Sequence, residues 1–192
     1  MATLKSIKNL YVKDSDAYSL GVGDNANNIA LLAFKIAEQD ALAIYNMQDG
    51  FVDQFEDETG VDTGNSANES YDSSNDLYTQ TTNGDLTLIS LAQAATAVPT
   101  DCRIVVFEED IDAITINTDL KAYASRDGGT TYTEFVLVDE GDYATSKQIW
   151  AGSVDVSGQP SGSSMRWKIR GFGNSGDAKE FKLHGVCLTW GN

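Results

Sequence analysis

The sequence predicts a mainly β protein: a C-terminal antiparallel β-sandwich, jelly-roll-like, preceded by an N-terminal arm and one long amphipathic α-helix. Three observations predict it. Apolar residues between 28 and 60 recur every three or four positions, the period of a helix. From residue 86 to residue 192 the period drops to two, in short runs bounded by turn residues. Between them, residues 61–85 hold few large apolar side chains and many Ser, Thr, Asn, Asp and Gly, the chemistry of a surface connector.

Residues 1–27 form the arm. SIKNLYV at 6–12 reads as a short strand or an adhesive segment, and SLGVGDNAN at 19–27 as a loop. Asn27 or Asn28 then caps the helix, its side chain accepting from free N–H groups of the first turn. Within the helix, Ile29, Ala33, Ile36, Asp40, Ile44, Met47, Phe51 and Phe55 share one stripe, and Leu31, Phe34, Leu42 and Tyr45 form a second beside it. A helix with two apolar faces needs two covers. The body supplies one and a copy of the helix from another subunit the other, unless one monomer core takes both. Ile29, Ile36, Asp40, Ile44, Met47, Phe51 and Phe55 are therefore the candidate oligomer interface. Full burial of each large apolar member stabilises by roughly 1.5–3 kcal/mol. Asp40 belongs at the edge of that seam or in a polar layer that fixes register. Gly50 interrupts the helix at a cost of about 1 kcal/mol relative to alanine, and Gly60 is its stop.

In the connector, Tyr71, Leu77 and Tyr78 are the residues able to pin the chain to the body. The alternating segment predicts strands at 86–91, 103–107, 113–117, 120–125, 131–138, 149–156, 165–170 and 181–189, with 93–98 as a short helix or irregular bridge. Asp127-Gly128-Gly129 makes a hairpin turn and Gly158-Gln159-Pro160-Ser161-Gly162 a second connection.

Charge is unevenly placed. Of the net charge of −16, most falls between Ile36 and Cys102, a stretch with 13 acids and no Lys or Arg. Phosphate contacts need clustered bases, so nucleic acid is disfavoured as a partner. An acidic belt suits a basic partner surface or a divalent cation, and more commonly only a solvated face. No stretch is apolar enough to span a bilayer. Residues 1–16 lack the apolar core of a signal peptide, which predicts synthesis in the cytoplasm. Cys102 and Cys187, each inside an apolar run, read as buried thiols.

Candidate sites are few. His184 is the sole histidine, and a metal site needs several converging groups. No Ser-His-Asp or Cys-His set has supporting spacing. Glu56-Asp57-Glu58 with Asp53 and Asp62 offers oxygens for Ca²⁺ but departs from the EF-hand loop. Trp150, Trp167 and Trp190 are a candidate sugar-stacking platform, although strand tryptophans more often pack a core. Arg166-Trp167-Lys168-Ile169-Arg170 alternates as a solvated basic face opposite two apolar residues. The run Ser125-Arg126-Asp127-Gly128-Gly129-Thr130-Thr131-Tyr132 resembles the Asp-box of sialidase-type propellers, S-x-D-x-G-x-T-aromatic. It occurs once, without a propeller repeat. The likeness therefore implies a hairpin turn tied by Ser125, Asp127 and Gly129, and no glycosidase activity.

Two longer stretches carry a wider resemblance. NNIALLAFKIAEQDALAIYNMQDGFVDQFEDETGVDT at 27–63 is similar to the front of small virion proteins from tailed phages of aquatic bacteria. ITINTDLKAYASRDGGTTYTEFVLVDEGDY at 114–143, followed by SVDVSGQPSGSSMRWKIRG, resembles their β-rich back. The resemblance implies a non-enzymatic structural protein of the virion, made in the host cytoplasm, without cofactor or metal. A homotrimer is implied, and closed symmetry is usual for homo-oligomers. The expected role is capsid decoration or cement, stabilising the shell through the major capsid protein or another virion protein, with no nucleic acid or membrane partner. The alternative is a short tail or head fibre whose sandwich binds a host surface glycan. A glycan hydrolase is the weakest reading.

Overall fold

The computed structural model describes residues 47–81, 84–176 and 178–192, all within one compact unit. Its strands are β1 (Asp49–Asp53), β2 (Glu69–Asp72), β3 (Leu77–Gln80), β4 (Thr87–Ile89), β5 (Gln93–Ala94), β6 (Asp101–Asp110), β7 (Leu120–Ser125), β8 (Thr133–Glu134), β9 (Val138–Ala144), β10 (Lys147–Asp155), β11 (Ser164–Gly171) and β12 (Phe181–Gly191). They form two antiparallel sheets. The larger has the order β2-β3-β12-β6-β10-β9, with β1 along the C-terminal half of β12. The smaller has the order β4-β11-β7-β8, with β5 beside the start of β11. The mainly β, antiparallel expectation stands.

Both sheets feed one core. From the smaller come Leu88, Leu120, Ala122, Ala124, Met165, Trp167 and Ile169; from the larger, Tyr78, Ile104, Val106, Phe181, Leu183, Val186 and Leu188. Strand alternation produces this directly: in β11 every second residue is buried, and Arg166, Lys168 and Arg170 point the other way. β12 changes phase once. Its pairing with β6 shifts between Leu183 and Gly185, and this bulge turns the inward set from Phe181 and Leu183 to Val186, Leu188 and Trp190.

The long helix is not seen. Residues 28–46, with the arm at 1–27 and the interface candidates Ile29, Ile36, Asp40 and Ile44, lie outside the described residues. Beyond them the chain is extended: β1 pairs with β12, Phe51 opposite Leu188 and Val52 opposite Cys187. Met47 and Phe55 are buried and Phe51 half-buried, with the Phe51 ring 6.0 Å from that of Trp190. The reason for the misreading is arithmetic. Met47, Phe51 and Phe55 are four apart, a spacing that satisfies a 3.6-residue helix and a two-residue strand alike. Gly50 breaks the tie: a Cβ there would lie 2.7 Å from Thr189 Cγ2 and 2.8 Å from the Leu188 carbonyl oxygen, so its bare backbone permits close pairing with β12. Phe55 leaves the strand at φ 58°, its N–H held by Asp53 Oδ1 at 2.9 Å. Its ring then packs edge-on against Tyr78 at 4.9 Å and Trp167 at 6.2 Å, so this chain's own core covers it.

The connector reading of 61–85 is also corrected. Residues 69–80 are a hairpin on the edge of the larger sheet, its turn tied by Asp72, which accepts from Ser74 N at 2.9 Å and Asn75 Nδ2 at 2.7 Å. Leu77 and Tyr78 anchor it in the core, and Tyr71 donates from its hydroxyl to the Phe55 carbonyl at 2.9 Å. An edge hairpin needs few apolar residues, hence its loop-like composition. The strand expected at 113–117 is absent. Asn117 sits at φ 64° and clamps Leu137, donating to its carbonyl at 2.9 Å and accepting its N–H at 2.8 Å. Only Thr133–Glu134 of the expected 131–138 strand pairs as β8, and of 93–98 only Gln93–Ala94 pairs, as β5.

Candidate functional site

β11 crosses the middle of the smaller sheet, so its outward residues form the floor of that sheet's open face. Register aligns Arg166 with Ser125, Lys168 with Tyr123 and Arg170 with Lys121. A depression of about 370 Å³ lies over this floor. Gly128, Gly129 and Tyr132, from the turn joining β7 to β8, form one wall; Asn65, Thr87 and Ile89, on the β4 side, form the other.

The turn wall is built as the Asp-box likeness implies. Ser125 Oγ accepts the Gly129 N–H at 2.8 Å and hydrogen-bonds Asp127 Oδ1 at 2.8 Å. Asp127 Oδ1 also accepts from Thr130 N at 3.1 Å and Thr131 N at 2.9 Å. Gly128 and Gly129 sit at φ 77° and 94°, where side-chain-bearing residues are strained. Burial pushes the Asp127 carboxyl up, but the donors on Thr131, Ser125 and Thr130 outweigh it and hold it below the usual range. Behind the turn, Arg126 is buried, and four carbonyls accept from its guanidinium: Pro99 at 2.8 Å, Ser157 at 2.8 Å, Pro160 at 3.2 Å and Gln159 at 2.5 Å. Gln159 returns the support, accepting Arg126 N–H at 2.9 Å and donating to the Ala124 carbonyl at 2.9 Å. The loop at 156–163 therefore braces the hairpin that walls the cleft.

The three floor cations have different fates. Arg166 Nη1 pairs with Asp62 at 2.5 Å, and that bond, with the one from Asn65, holds the Asp62 carboxyl below its ordinary range. The Lys168 ammonium lies 3.6 Å from the Tyr132 ring centroid and 4.7 Å from that of Tyr123. The Arg170 guanidinium lies 4.4 Å over Phe172. Among the described residues no carboxylate pairs with Lys168 or Arg170, and Arg170 Nε and Arg166 Nε are buried without an acceptor. Burial, then the neighbouring Arg170 charge, lower the Lys168 pKa. Burial raises the Tyr132 hydroxyl and, with the Glu134 hydrogen bond, pushes Tyr123 up to about 12. Chemically the floor can hold an oxyanion beside aromatic faces.

The other candidates are spread elsewhere. Trp167 and Trp190 are buried in the core; Trp150 is half-buried and donates from Nε1 to Glu108 Oε2 at 3.2 Å, so the three make no surface platform. His184 Nε2 lies 2.7 Å from Glu109 Oε2 on the larger sheet, where Lys147 and Lys182 also reach Glu109, at 3.3 and 3.2 Å. Burial lowers the His184 pKa, against the pull of Glu109. Asp53 and Asp57 serve the local donors Phe55 N and Thr59, Asp62 serves Arg166 from the distant β11, and no group of metal-binding side chains occurs among the described residues. Cys102 and Cys187 are buried thiols, the former pushed up to about 12 by burial. The basic alternation in β11 was legible; its aromatic company was not. Tyr123 and Tyr132 come to it only through β7–β11 register and the turn, whereas Phe172 follows Arg170 by two residues just past the end of β11.

No protein-family model matches this chain, and no curated protein does. Among solved structures, the chain is similar to part of a family GH115 4-O-methyl-α-glucuronidase, BtGH115A, with specificity for decorated arabinogalactans. Identity is 12%, the TM-score 0.33, and the alignment covers 76% of this chain and 17% of that one. A likeness this weak over so small a share of that enzyme transfers neither activity nor site.

Proposed function

We propose that this chain is a non-enzymatic structural protein of a tailed-phage particle, a capsid decoration or cement protein. The supporting observation is that the two β-rich virion-like stretches take in the tied turn, the bracing loop and the strands around them. Residues 114–143 span β7, the tied turn, β8 and most of β9; the following stretch spans the end of β10, the bracing loop and β11. On this reading the two sheets are a jelly-roll-like sandwich displayed outward, and a homotrimer is fixed to the shell through residues before Met47. Particles assembled with and without the protein test it. Loss of heat or osmotic stability in its absence, restored on adding it back, is the expected result. Equal stability of both particles, or no retention of added protein by the shell, refutes it.

The cleft on β11 favours a second reading: a short fibre whose sandwich binds a host surface glycan. Oligosaccharide binding by the purified full chain is its test, and a chain that decorates the shell yet binds no glycan returns the choice to cement.

A further inference from the structure

We infer that the depression over β11 binds an acidic saccharide, with Lys168 and Arg170 meeting its oxyanion. This inference rests on the glycan-binding reading and names the chemistry of the ligand. The chain has an excess of acids, giving a net charge of −16, and most of its described bases are answered by carboxylates. Lys168 and Arg170 depart from that pattern. They lie two residues apart on one face of β11, and among the described residues only aromatic rings meet their charges: Tyr132 and Tyr123 for the ammonium, Phe172 for the guanidinium. An aromatic face attracts a cation but leaves its donors free to reach an oxyanion. Ion pairing of Arg166 to Asp62 holds the third base at the cleft's end, which concentrates the unanswered charge at Lys168 and Arg170.

Size and lining narrow the ligand. About 370 Å³ is the scale of a small-molecule site and far more than a lone inorganic anion fills. The walls mix an amide at Asn65, a hydroxyl at Thr87 and the Tyr132 ring, which suits a hydroxyl-bearing ring better than an apolar ligand. The acidic remainder of the chain repels an extended polyphosphate such as nucleic acid. A single sugar unit carrying one carboxylate or sulfate meets the floor without incurring that repulsion.

The test is calorimetric titration of the full chain with four probes: a mannuronate trisaccharide, the neutral mannose trisaccharide, a sulfated mannose trisaccharide and inorganic phosphate. Lys168→Met and Lys168→Arg are titrated alongside, their folding checked by thermal unfolding. The expected result is binding of at least one acidic trisaccharide, weakened about tenfold or more by Lys168→Met, as loss of one charge-assisted hydrogen bond requires, and largely kept by Lys168→Arg. Whichever acidic arm binds identifies the anion as carboxylate or sulfate. Equal binding of neutral and acidic probes, indifferent to Lys168→Met, overturns the inference and leaves the glycan reading intact. Phosphate binding as tightly as either acidic sugar also overturns it, as an adventitious ion only. Absence of binding by every saccharide overturns the inference and the glycan reading together.

Discussion

The outer faces of the two sheets are opposites, although both sheets obey the same alternation. On the smaller sheet the outward residues of β11 are Arg166, Lys168 and Arg170, half-buried and open to a cleft. On the larger sheet the outward residues at mid-strand are Val105 at 3% exposure, Phe107 at 0%, Ala151 at 0% and Cys187 at 1%, as closed to water as the core. One sheet is thus amphipathic, the other apolar on both faces through its centre. An antiparallel sheet with one wet face reads as clean alternation, whereas a sheet buried on both faces reads as a continuous apolar run. RWKIR in β11 and RIVVF in β6 show the two patterns side by side. The wet face is the one free to carry recognition; the closed one carries stability.

The strongest way to break that contrast is to charge the closed face. Val105→Asp places a carboxylate where water does not reach, and the expected loss is about 3–5 kcal/mol or failure to fold. Urea unfolding measures it; a loss below about 1 kcal/mol shows that this face is open in solution. Arg126→Met comes next. It strands four carbonyls that the guanidinium now satisfies, at an expected cost of about 2–4 kcal/mol in the same assay. An effect near zero means that water replaces the side chain.

The contrast also marks how much could be read beforehand. β7, β11, half of β6 and most of β10 and β12 were legible because each carries an apolar alternation or run, as was the turn at Asp127-Gly128-Gly129. The region before Thr87 was misread for two physical reasons. Met47, Phe51 and Phe55 share a spacing common to helix and strand, and only the open edge of β12, far along the chain, selects the strand. The edge hairpin at 69–80 hides because Leu77 and Tyr78 suffice to hold it. Of the candidate cleft, the cations were visible in β11. The aromatic partners of Lys168, Tyr123 and Tyr132, come from other elements, and no local period reports pairing across a sheet.

Individual carboxyls in the core and around the cleft should also answer pH in opposite directions. Glu108, in β6, is fully buried; burial raises its pKa to about 8, against the Trp150 N–H that lowers it. A carboxyl with a raised folded-state pKa holds protons that the unfolded chain has released. Its contribution is complete below the unfolded value of 4.5 and is lost as pH rises through about 8. Asp127 and Asp62, which border the cleft, are held below the ordinary value of 3.8. Their contribution is present above that value and is lost as pH falls beneath it. Glu108→Gln keeps the hydrogen-bonding shape, so the alkaline decline should flatten by a few kcal/mol between about pH 5 and 9 while the acid decline persists. An unchanged alkaline slope in guanidine titrations assigns that decline to another group.

Asp127→Ala has a smaller expected effect, about 1–3 kcal/mol, since one carboxylate oxygen serves the N–H groups of Thr130 and Thr131. Loss of the acid decline together with this stability ties both to the turn; its survival assigns it to the other carboxyls held low, among them Asp62, Glu109 and Asp119.

The smallest effect is the most informative. Lys168→Met removes two ring contacts, each worth roughly 0.5–1 kcal/mol for a partly exposed cation, and also relieves the desolvation that depresses the lysine's pKa. The two terms oppose each other, and methionine keeps most of the side-chain packing. The expected net change in stability is within about 0.5 kcal/mol. A residue expected to contribute so little to folding, yet half-buried with no carboxylate partner among the described residues of an acidic chain, is placed for an external partner. If Lys168→Met instead costs more than about 2 kcal/mol by thermal unfolding, Lys168 is a structural pin for Tyr123 and Tyr132, the wet face joins the closed one as scaffold, and the functional difference between the sheets disappears.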